Sequence, residues 1–245
     1  MTSWPPRPAS TAPPCACCPR LLDPTPSDET EHSMTRIGIF GSGRVATVLA
    51  TQLATVGHDV WLGTRDAAAA SAKWSGPAVT FVEPAQAARQ ASLLINATPG
   101  DSSVERLGAL REVLDGKILV DVSNATRRGA DGMPTGLCYP DSSLAEHLQQ
   151  ALPGTRVVKT LNTMLFTVMA NPRILQVPPS VFLSGNDKDA KAAARELLQE
   201  LGWQPGWIED LGDLSTARGT EALILLVPPL LRSRGFAPFA LTVAR

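Results

Sequence analysis

The segment from Gly41 to Ala46, Gly-Ser-Gly-Arg-Val-Ala, restricts the fold of this chain most, because it lies between a strand pattern and a helix pattern. The apolar run Arg36–Phe40 precedes it, and apolar residues recur after it at helical spacing until Gly57. A second apolar run, Asp59–Gly63, then follows. Strand, glycine turn, helix and strand over this length predict one βαβ unit.

The spacing of small residues in this segment predicts a dinucleotide site. Gly41 permits a tight turn, Gly43 lets the backbone approach a diphosphate, and Ala46 keeps the helix close to the strand. The first N–H groups of the helix and its positive end can hold phosphates without a lysine. A glycine turn with a purely structural role is the alternative, and the βαβ context disfavours it. The residues predicted to hold the pyrophosphate are Gly41, Ser42, Gly43, Arg44 and Val45.

Further apolar runs indicate the rest of the fold. They are continuous rather than alternating, which is typical of strands covered on both faces. These runs are Ser92–Ala97, Lys117–Val122, Arg156–Lys159 and Ser180–Ser184. Because helical patterns lie between them, we predict an α/β fold with a doubly wound, mainly parallel sheet of the Rossmann type and a small C-terminal helical and strand extension.

The N-terminal segment, residues 1–33, differs in composition from the remainder. It carries 8 of the 21 prolines and 3 of the 4 cysteines, and we expect it to be a disordered extension. It lacks the apolar segment of a secretory signal. Its Cys15, Cys17 and Cys18 with His32 fit no common zinc spacing, so no metal site is predicted. We expect Met34 to be the natural start, residues 34–245 to form the NADP-binding domain, and the C-terminal extension to begin at about residue 200.

Charge and hydropathy exclude two classes of partner. The 22 Lys and Arg against 23 Asp and Glu give a net charge of −1, so the chain has no excess of positive charge for binding nucleic acid or an anionic membrane. The apolar run Ala222–Leu231 is too short to span a bilayer, and it predicts a buried or dimer-forming helix bent at its prolines. With 18% charged residues and one cysteine after residue 33, the chain is expected to be a cytoplasmic homodimer.

The residues after the second strand bear on the choice of dinucleotide. A site for NAD would place an acidic residue there to bind the ribose hydroxyls. Here Gly63 is followed by Thr64, Arg65 and Asp66. Arg65 can pair with a 2′-phosphate and Thr64 adds a hydroxyl donor, which favours NADP(H). Asp66 is close enough to serve as the acidic ligand instead, so NAD stays open.

Few side chains are available for acid–base chemistry. Tyr139 has Ser143 rather than a lysine four residues later, and it is expected to be a packed loop aromatic. His58 is expected to be structural, and His147, in the helix pattern of residues 142–150, to be exposed. Cys138 has no adjacent histidine to activate it. Hydride transfer to a flavin-like ring depends mainly on orientation, so this scarcity favours such a reaction over carbonyl reduction.

Most of the chain from Ile37 onward resembles the F420-dependent NADP reductase family, whose NADP-binding fold also occurs in the STEAP metalloreductases. The matching stretches are Ile37–Ala46, Leu62–Asp66, Arg156–Thr163, Ser184–Asp187 and Asp210–Arg218, followed by Glu221. The resemblance implies an NADP(H)-dependent oxidoreductase that transfers hydride between NADP(H) and a second small-molecule acceptor, such as coenzyme F420 or a flavin. It also implies a homodimer and a pocket at the strand ends over the nicotinamide.

On this sequence the relevant strand ends are residues 97–100, 123–125 and 161–163. Thr98 and Asn124 are predicted to contact nicotinamide or ribose, and Asn162 to orient the acceptor. Thr98 and Asn162 are the candidate catalytic residues. Asn124 and Asn162 could equally cap the helices that follow them. The further predicted cofactor-binding residues are therefore Ala97, Thr98, Pro99 and Asn124.

Departures from the family pattern leave the acceptor open. Gly100 follows Pro99 where the family carries tryptophan, Ala69 replaces an expected lysine with Lys73 nearest, and Asn162 stands where a histidine can occur. One alternative is a non-catalytic NADP(H)-responsive binding protein. Another is an imine-reductase or hydroxyacid-dehydrogenase type enzyme, although Lys159 ends a strand and the chain after it is too short for their helical second domain.

Overall fold

The computed structural model describes residues 35–244, in which an eight-stranded sheet lies between two layers of helices. The predictions for residues 1–33 and for Met34 therefore lie outside the described residues. The strands are β1 Arg36–Phe40, β2 Asp59–Gly63, β3 Thr80–Val82, β4 Leu93–Asn96, β5 Ile118–Asp121, β6 Thr126–Arg128, β7 Pro134–Leu137, β8 Arg156–Lys159, β9 Val181–Gly185 and β10 Ile208–Gly212. The helices are α1 Arg44–Thr55, α2 Ala67–Ala72, α3 Pro84–Gln90, α4 Gly100–Gly108, α5 Arg111–Leu114, α6 Leu144–Ala151, α7 Phe166–Met169, α8 Lys188–Glu200, α9 Ala217–Ala222 and α10 Val227–Arg234.

The main sheet confirms the predicted doubly wound, mainly parallel architecture. Its order is β10-β9-β8-β5-β4-β1-β2-β3. The six strands from β8 to β3 are parallel, β9 is antiparallel to β8, and β10 is parallel to β9. Strands β6 and β7 form a separate antiparallel hairpin. The reversal at β9 was not predicted, because an apolar run does not reveal the direction of its strand.

The middle residues of the central strands are apolar because both faces of the sheet are covered. In β4, β5 and β8 two successive side chains enter different cores, and these six side chains are at most 1% exposed. Ile95, Val120 and Val158 lie in the core that contains the apolar faces of α1 and α8. Leu94, Leu119 and Val157 lie in the core that contains those of α3 and α6. Because these strands run parallel, their carboxyl ends lie along one edge of the sheet, where the loops that follow them can meet.

The C-terminal apolar run is less buried than the sequence suggested. A 3₁₀ turn at Leu223–Leu226 leads into α10, whose Pro228 and Pro229 lie in the first turn. Proline is tolerated there because first-turn amides have no partner within their own helix. Leu225 and Leu226 are 40% and 46% exposed, so of the two predicted alternatives the buried helix is wrong at these positions, and the dimer-forming helix stays a prediction. Among the helices in residues 35–244, none is long and apolar enough to cross a membrane.

The last described residues run back along the body of the domain. The amide of Leu165 donates to the carbonyl of Phe239 at 2.9 Å, and the amide of Ser180 donates to the carbonyl of Leu241 at 2.9 Å. These two backbone hydrogen bonds hold the segment beside the loop after β8 and the start of β9. The tail can therefore contribute side chains to the carboxyl edge of the sheet.

Candidate functional site

A cleft of about 1230 Å³ lies at the carboxyl ends of the parallel strands. Loops that follow β1, β2, β4, β5 and β8 line it, as expected for ligand sites in open α/β sheets. The structure places every predicted site residue on this cleft. These residues are Gly41, Ser42, Gly43, Arg44, Val45, Thr64, Arg65, Ala97, Thr98, Pro99, Asn124 and Asn162.

The two glycines of the turn after β1 serve different purposes. Gly41 has φ +117°, and a Cβ built on it would lie 2.8 Å from the carbonyl oxygen of Ala97. Its amide donates to the carbonyl of Gly63 at 2.9 Å. A Cβ on Gly43 would meet no described atom within 4 Å, although Gly43 itself lines the cleft. Gly41 is thus required by the fold, whereas the space beside Gly43 is open to a ligand.

The start of helix α1 suits an anion. Within the described chain, no side chain caps the helix at Gly43, and its first turn contains no acidic residue. The first amides of a helix have no partner in that helix, and its dipole favours negative charge at this end. Together with the open space beside Gly43, these features fit the diphosphate of a dinucleotide.

At the end of β2, the structure separates the roles of Arg65 and Asp66. Arg65 is exposed and lines the cleft beside Thr64, whose hydroxyl lies 3.2 Å from that of Ser42. Asp66 instead caps α2, where its Oδ1 accepts a hydrogen bond from the amide of Ala69 at 2.8 Å. Asp66 thus has a structural role at this helix start, and Arg65 is the cleft-lining side chain that can meet a 2′-phosphate. Glu83, exposed at the end of β3, also lines this part of the cleft and was not singled out from the sequence.

A cation–π contact joins the glycine turn to helix α7. The guanidinium carbon of Arg44 lies 5.2 Å from the centroid of the Phe166 ring. Such a contact stabilises by roughly 0.5–1 kcal/mol at exposed sites. It connects the loop after β1 with the loop after β8 on one side of the cleft. The sequence offered no signal for it, because the partners are far apart along the chain.

The loops after β5 and β8 are joined by a reciprocal amide pair. Asn124 Nδ2 donates to the backbone carbonyl of Asn162 at 2.8 Å, and Asn162 Nδ2 donates to Asn124 Oδ1 at 3.0 Å. The interpretation of either residue as a helix cap is wrong, because Asn124 leads into β6 and α7 has Leu165 at its N-cap. Buried Leu161 has φ +59°, a left-handed conformation that is strained for leucine.

The loop after β4 is fixed by its own side chains. The Thr98 hydroxyl donates to Asn96 Oδ1 at 2.7 Å and lies 2.7 Å from Ser103 Oγ. A Cβ built on Gly100 would lie 2.4 Å from the carbonyl oxygen of Asn124. The backbone of α4 therefore approaches the β5 loop too closely for a larger residue. This approach gives a physical reason for glycine at position 100.

Other ionisable residues considered from the sequence lie away from the cleft lining. His58 is buried with Nε2 3.0 Å from Glu200 Oε2, which confirms its structural role. The prediction that His147 is exposed is wrong: it is half-buried and stacks on Tyr139, with ring centroids 3.9 Å apart. This contact confirms Tyr139 as a packed aromatic. Burial, together with the nearby charge of Asp101, raises the pKa of the Cys138 thiol above its usual value.

A buried ion cluster beneath the cleft was missed in the sequence. Lys159 Nζ lies 2.8 Å from Asp121 Oδ2 and 2.7 Å from Glu221 Oε1, and all three residues are at most 3% exposed. Glu221 also accepts hydrogen bonds from the amides of Leu144 and Ala145 at the start of α6. Burial alone would lower the pKa of Lys159, but the two carboxylates outweigh it and raise that pKa, so the ammonium stays charged. Asp121 and Lys159 pair in register on β5 and β8, which was the available signal.

The potential metal ligands can be surveyed over residues 35–244. That part of the chain contains no group of three or more His, Cys, Asp or Glu side chains arranged to hold a metal ion. The cluster of Cys15, Cys17 and Cys18 considered from the sequence lies outside the described residues.

Comparison with known proteins agrees with this geometry. The family described as NADP oxidoreductase, coenzyme F420-dependent, matches residues 36–125. The crystal structure of a candidate F420-dependent NADP reductase from Arthrobacter sp. FB24 is 40% identical with a TM-score of 0.79, and the match covers 85% of this chain and 99% of that one. Metalloreductase STEAP3 of Rattus norvegicus is 32% identical over 213 residues, 86% of this chain and 41% of the relative. The F420-dependent NADP reductase of Methanocaldococcus jannaschii is 27% identical over 150 residues, 60% of this chain and 65% of the relative.

These matches define an NADP-dependent oxidoreductase with a Rossmann fold. The chain belongs to the family of coenzyme F420-dependent NADP oxidoreductases, as its similarity over nearly the whole Arthrobacter protein shows. It spans about two fifths of the length of the STEAP relative that it matches.

The two glycines of the turn provide the first test of the site. We expect Gly43→Ala to change the free energy of unfolding by less than about 1 kcal/mol, because the new methyl group enters open space at an N-cap. The same methyl group would obstruct a bound diphosphate, so NADP⁺ affinity should fall by about tenfold or more. Gly41→Ala should instead destabilise the fold by about 1–3 kcal/mol because its backbone is left-handed. Urea unfolding and calorimetric titration measure both effects, and unchanged NADP⁺ affinity in Gly43→Ala would contradict the assignment.

Arg65 provides a test of dinucleotide choice. A charge-assisted hydrogen bond contributes about 1.5–3 kcal/mol. We therefore expect Arg65→Ala to weaken NADPH binding by roughly tenfold to a hundredfold while NADH binding stays nearly unchanged. Arg89→Ala serves as the matched control, because Arg89 is an exposed arginine outside the cleft lining. Equal losses for the two cofactors in Arg65→Ala would refute the role of Arg65 in reading the 2′-phosphate.

Proposed function

We propose that this protein transfers hydride between NADP(H) and a planar ring acceptor of the deazaflavin or flavin class, with coenzyme F420 as the first candidate. The main support is the character of the cleft beyond the strand ends. Its walls there are mostly apolar and aromatic, with the charged Arg128 and Asp131 in the same hairpin as Met133, and none of the described residues that line the cleft is His, Lys, Tyr or Cys. The apolar lining includes Met133, Met164, Phe166, Met169, Ile224, Val227, Leu231, Phe236 and Phe239.

The proposed binding mode divides the cofactor between the two ends of the cleft. The turn Gly41–Val45 would hold the diphosphate through backbone amides, and Thr64 with Arg65 would select the 2′-phosphate. The strand-end loops would hold the nicotinamide and its ribose. The residues assigned to that half are Ala97, Thr98, Pro99 and Asn124.

The role of the chain in the reaction would be mainly geometric. NADPH, when bound, supplies the hydride at its nicotinamide ring. The protein would hold both rings at reacting distance, and its apolar wall would exclude water. Asn162 lies beside this region and pairs with Asn124, so it would help to orient the acceptor rather than donate a proton. The Thr98 hydroxyl, which is bound to Asn96, would have the same orienting role.

The reduction of other acceptors requires other catalytic groups. Reduction of a carbonyl or an imine needs a proton donor at the site. Lys159 could not serve directly, because it is buried in the ion cluster. A ferric chelate is a separate possibility, since one relative is named a metalloreductase. A ferric chelate is usually polar, so the apolar wall favours an organic ring over it.

Turnover with defined acceptors tests the proposed reaction. NADPH is mixed with the protein and with coenzyme F420, FMN or a ferric chelate, and the loss of NADPH absorbance is followed. We expect oxidation with coenzyme F420 or FMN, and much slower oxidation by Gly43→Ala at limiting NADPH. Oxidation with the ferric chelate alone would contradict the ring-acceptor proposal. Tight NADPH binding without turnover would favour the alternative of a non-catalytic NADP(H)-responsive protein.

We also propose that the protein is a homodimer, with the cytoplasm as its location on the basis of its cysteine usage. The C-terminal segment exposes Leu225, Leu226 and Phe236, the last at 68%. A contiguous apolar patch on a surface is typical of an interface, and the adjacent exposed Leu225 and Leu226 are the main support for the dimer. A second copy of the same segment could cover them around a two-fold axis.

Light scattering after size-exclusion chromatography tests the dimer. We expect the wild-type mass to be about twice the chain mass of 25.9 kDa, and Leu225→Asp to shift it towards the monomer because a charge would be buried in the interface. Val177→Asp is the matched control, because Val177 is 65% exposed and lies in another segment. A monomeric wild-type protein at micromolar concentration would contradict the proposal.

A further inference from the structure

Lys159 does not line the cleft, yet it lies under the two loops assigned to the nicotinamide half of the cofactor. We propose that Lys159 is a positioning residue, whose ammonium group fixes the loops after β4 and β5 in the form that binds the nicotinamide and its ribose. The proposal rests on the cofactor site proposed above. It assigns to the buried ion cluster a role in ligand binding beyond stability.

The loop after β5 is held by Lys159 directly. Lys159 Nζ donates to the backbone carbonyl of Ser123, the residue immediately before Asn124. The same ammonium pairs with Asp121 Oδ2, while Asp121 Oδ1 accepts a hydrogen bond from the amide of Ser123 at 3.2 Å. Both polar backbone groups of Ser123 are therefore fixed by one ion pair. Since Ser123 and Asn124 line the cleft, the position of this ion pair determines the shape of the cleft here.

The loop after β4 is held through Asp121. Asn96 Nδ2 donates to Asp121 Oδ1 at 2.8 Å, and Asn96 Oδ1 accepts from both the amide and the hydroxyl of Thr98, at 3.1 and 2.7 Å. Ser123 Oγ also donates to the carbonyl of Thr98 at 2.7 Å. Thr98 is consequently connected to the Lys159 ion pair by two routes, one through Asn96 and one through Ser123.

An ammonium group suits this place because it donates three hydrogen bonds. Its acceptors are Asp121, Glu221 and the carbonyl of Ser123. Glu221 is itself anchored by the first amides of α6, so Lys159 is held from the side opposite the loops. A neutral side chain at position 159 would leave two buried carboxylates without their counter-charge and the Ser123 carbonyl without its donor. The loops would then lose their common anchor.

The effect should be confined to one half of the cofactor. The adenosine half is assigned to the loops after β1 and β2, at Gly41–Val45, Thr64 and Arg65, and the contacts that fix the Lys159 cluster lie at the ends of β4, β5 and β8. A ligand that lacks both the nicotinamide and its ribose, 2′-phospho-ADP, should therefore be insensitive to Lys159. General loosening of the fold would weaken both ligands together.

The test compares the affinities of NADP⁺ and 2′-phospho-ADP for wild type and Lys159→Gln by calorimetry. We expect Lys159→Gln to weaken NADP⁺ by about tenfold or more and 2′-phospho-ADP by less than about twofold. Lys191→Gln is the matched control: Lys191 pairs with Asp210 at 2.9 Å outside the cleft lining, and both affinities should stay at the wild-type values. If Lys159→Gln does not fold, Asp121→Asn replaces it, since this variant keeps the size of the side chain and removes the charge that holds the ammonium.

Each of the other outcomes contradicts the proposal and shows which part of it is wrong. Equal weakening of the two ligands, or no weakening of either, would assign Lys159 a purely structural role. Equal affinity of wild type for NADP⁺ and 2′-phospho-ADP would show that the strand-end loops contribute no binding. Failure of wild type to bind either ligand would instead overturn the proposed cofactor site itself, and that failure appears before any variant is made.

Discussion

A buried lysine between two buried carboxylates imposes the strongest constraint on this fold. Lys159, Asp121 and Glu221 come from two neighbouring strands and from helix α9, and none of the three can lose its partners without leaving a charge unpaired in the interior. Removal of one partner of such a buried pair typically costs about 3–5 kcal/mol. Because Glu221 also binds the first amides of α6, the cluster ties the sheet, α6 and the C-terminal region to one point. The carboxyl edge of the sheet is built around that point.

The geometry of the cleft is fixed by different contacts at its two ends. At the β1 end the backbone itself sets the geometry, through the left-handed Gly41 and the open space at Gly43. At the β4, β5 and β8 ends, side-chain hydrogen bonds between loops set it, through Asn96, Thr98 and the pair Asn124–Asn162. The first arrangement depends on a few adjacent residues, whereas the second depends on the whole sheet being assembled.

That difference explains how much the sequence could predict. The βαβ unit, the parallel sheet and the residues on the cleft followed from local patterns, because strand ends of a parallel sheet meet at one edge. The antiparallel direction of β9, the Asn124–Asn162 pair and the Lys159 cluster join residues far apart along the chain, where a local pattern carries no information. The prediction of an exposed His147 failed for the same reason, since its stacking on Tyr139 depends on how the preceding loop returns. The predicted boundary near residue 200 and the ligand roles of the cleft residues stay predictions.

The C-terminal segment that contains Phe236 and Phe239 forms part of one wall of the cleft, and this wall can vary in sequence independently of the glycine turn. Phe236 and Phe239 contribute to its apolar wall, and the hydrogen bond that holds Phe239 runs between backbone groups, from the amide of Leu165 to the carbonyl of Phe239. Backbone contacts tolerate exchange of side chains, so the tail can change its residues while its path is preserved. Substitutions in the tail can therefore reshape this wall of the cleft while the turn at Gly41–Val45, on another part of the chain, stays as it is.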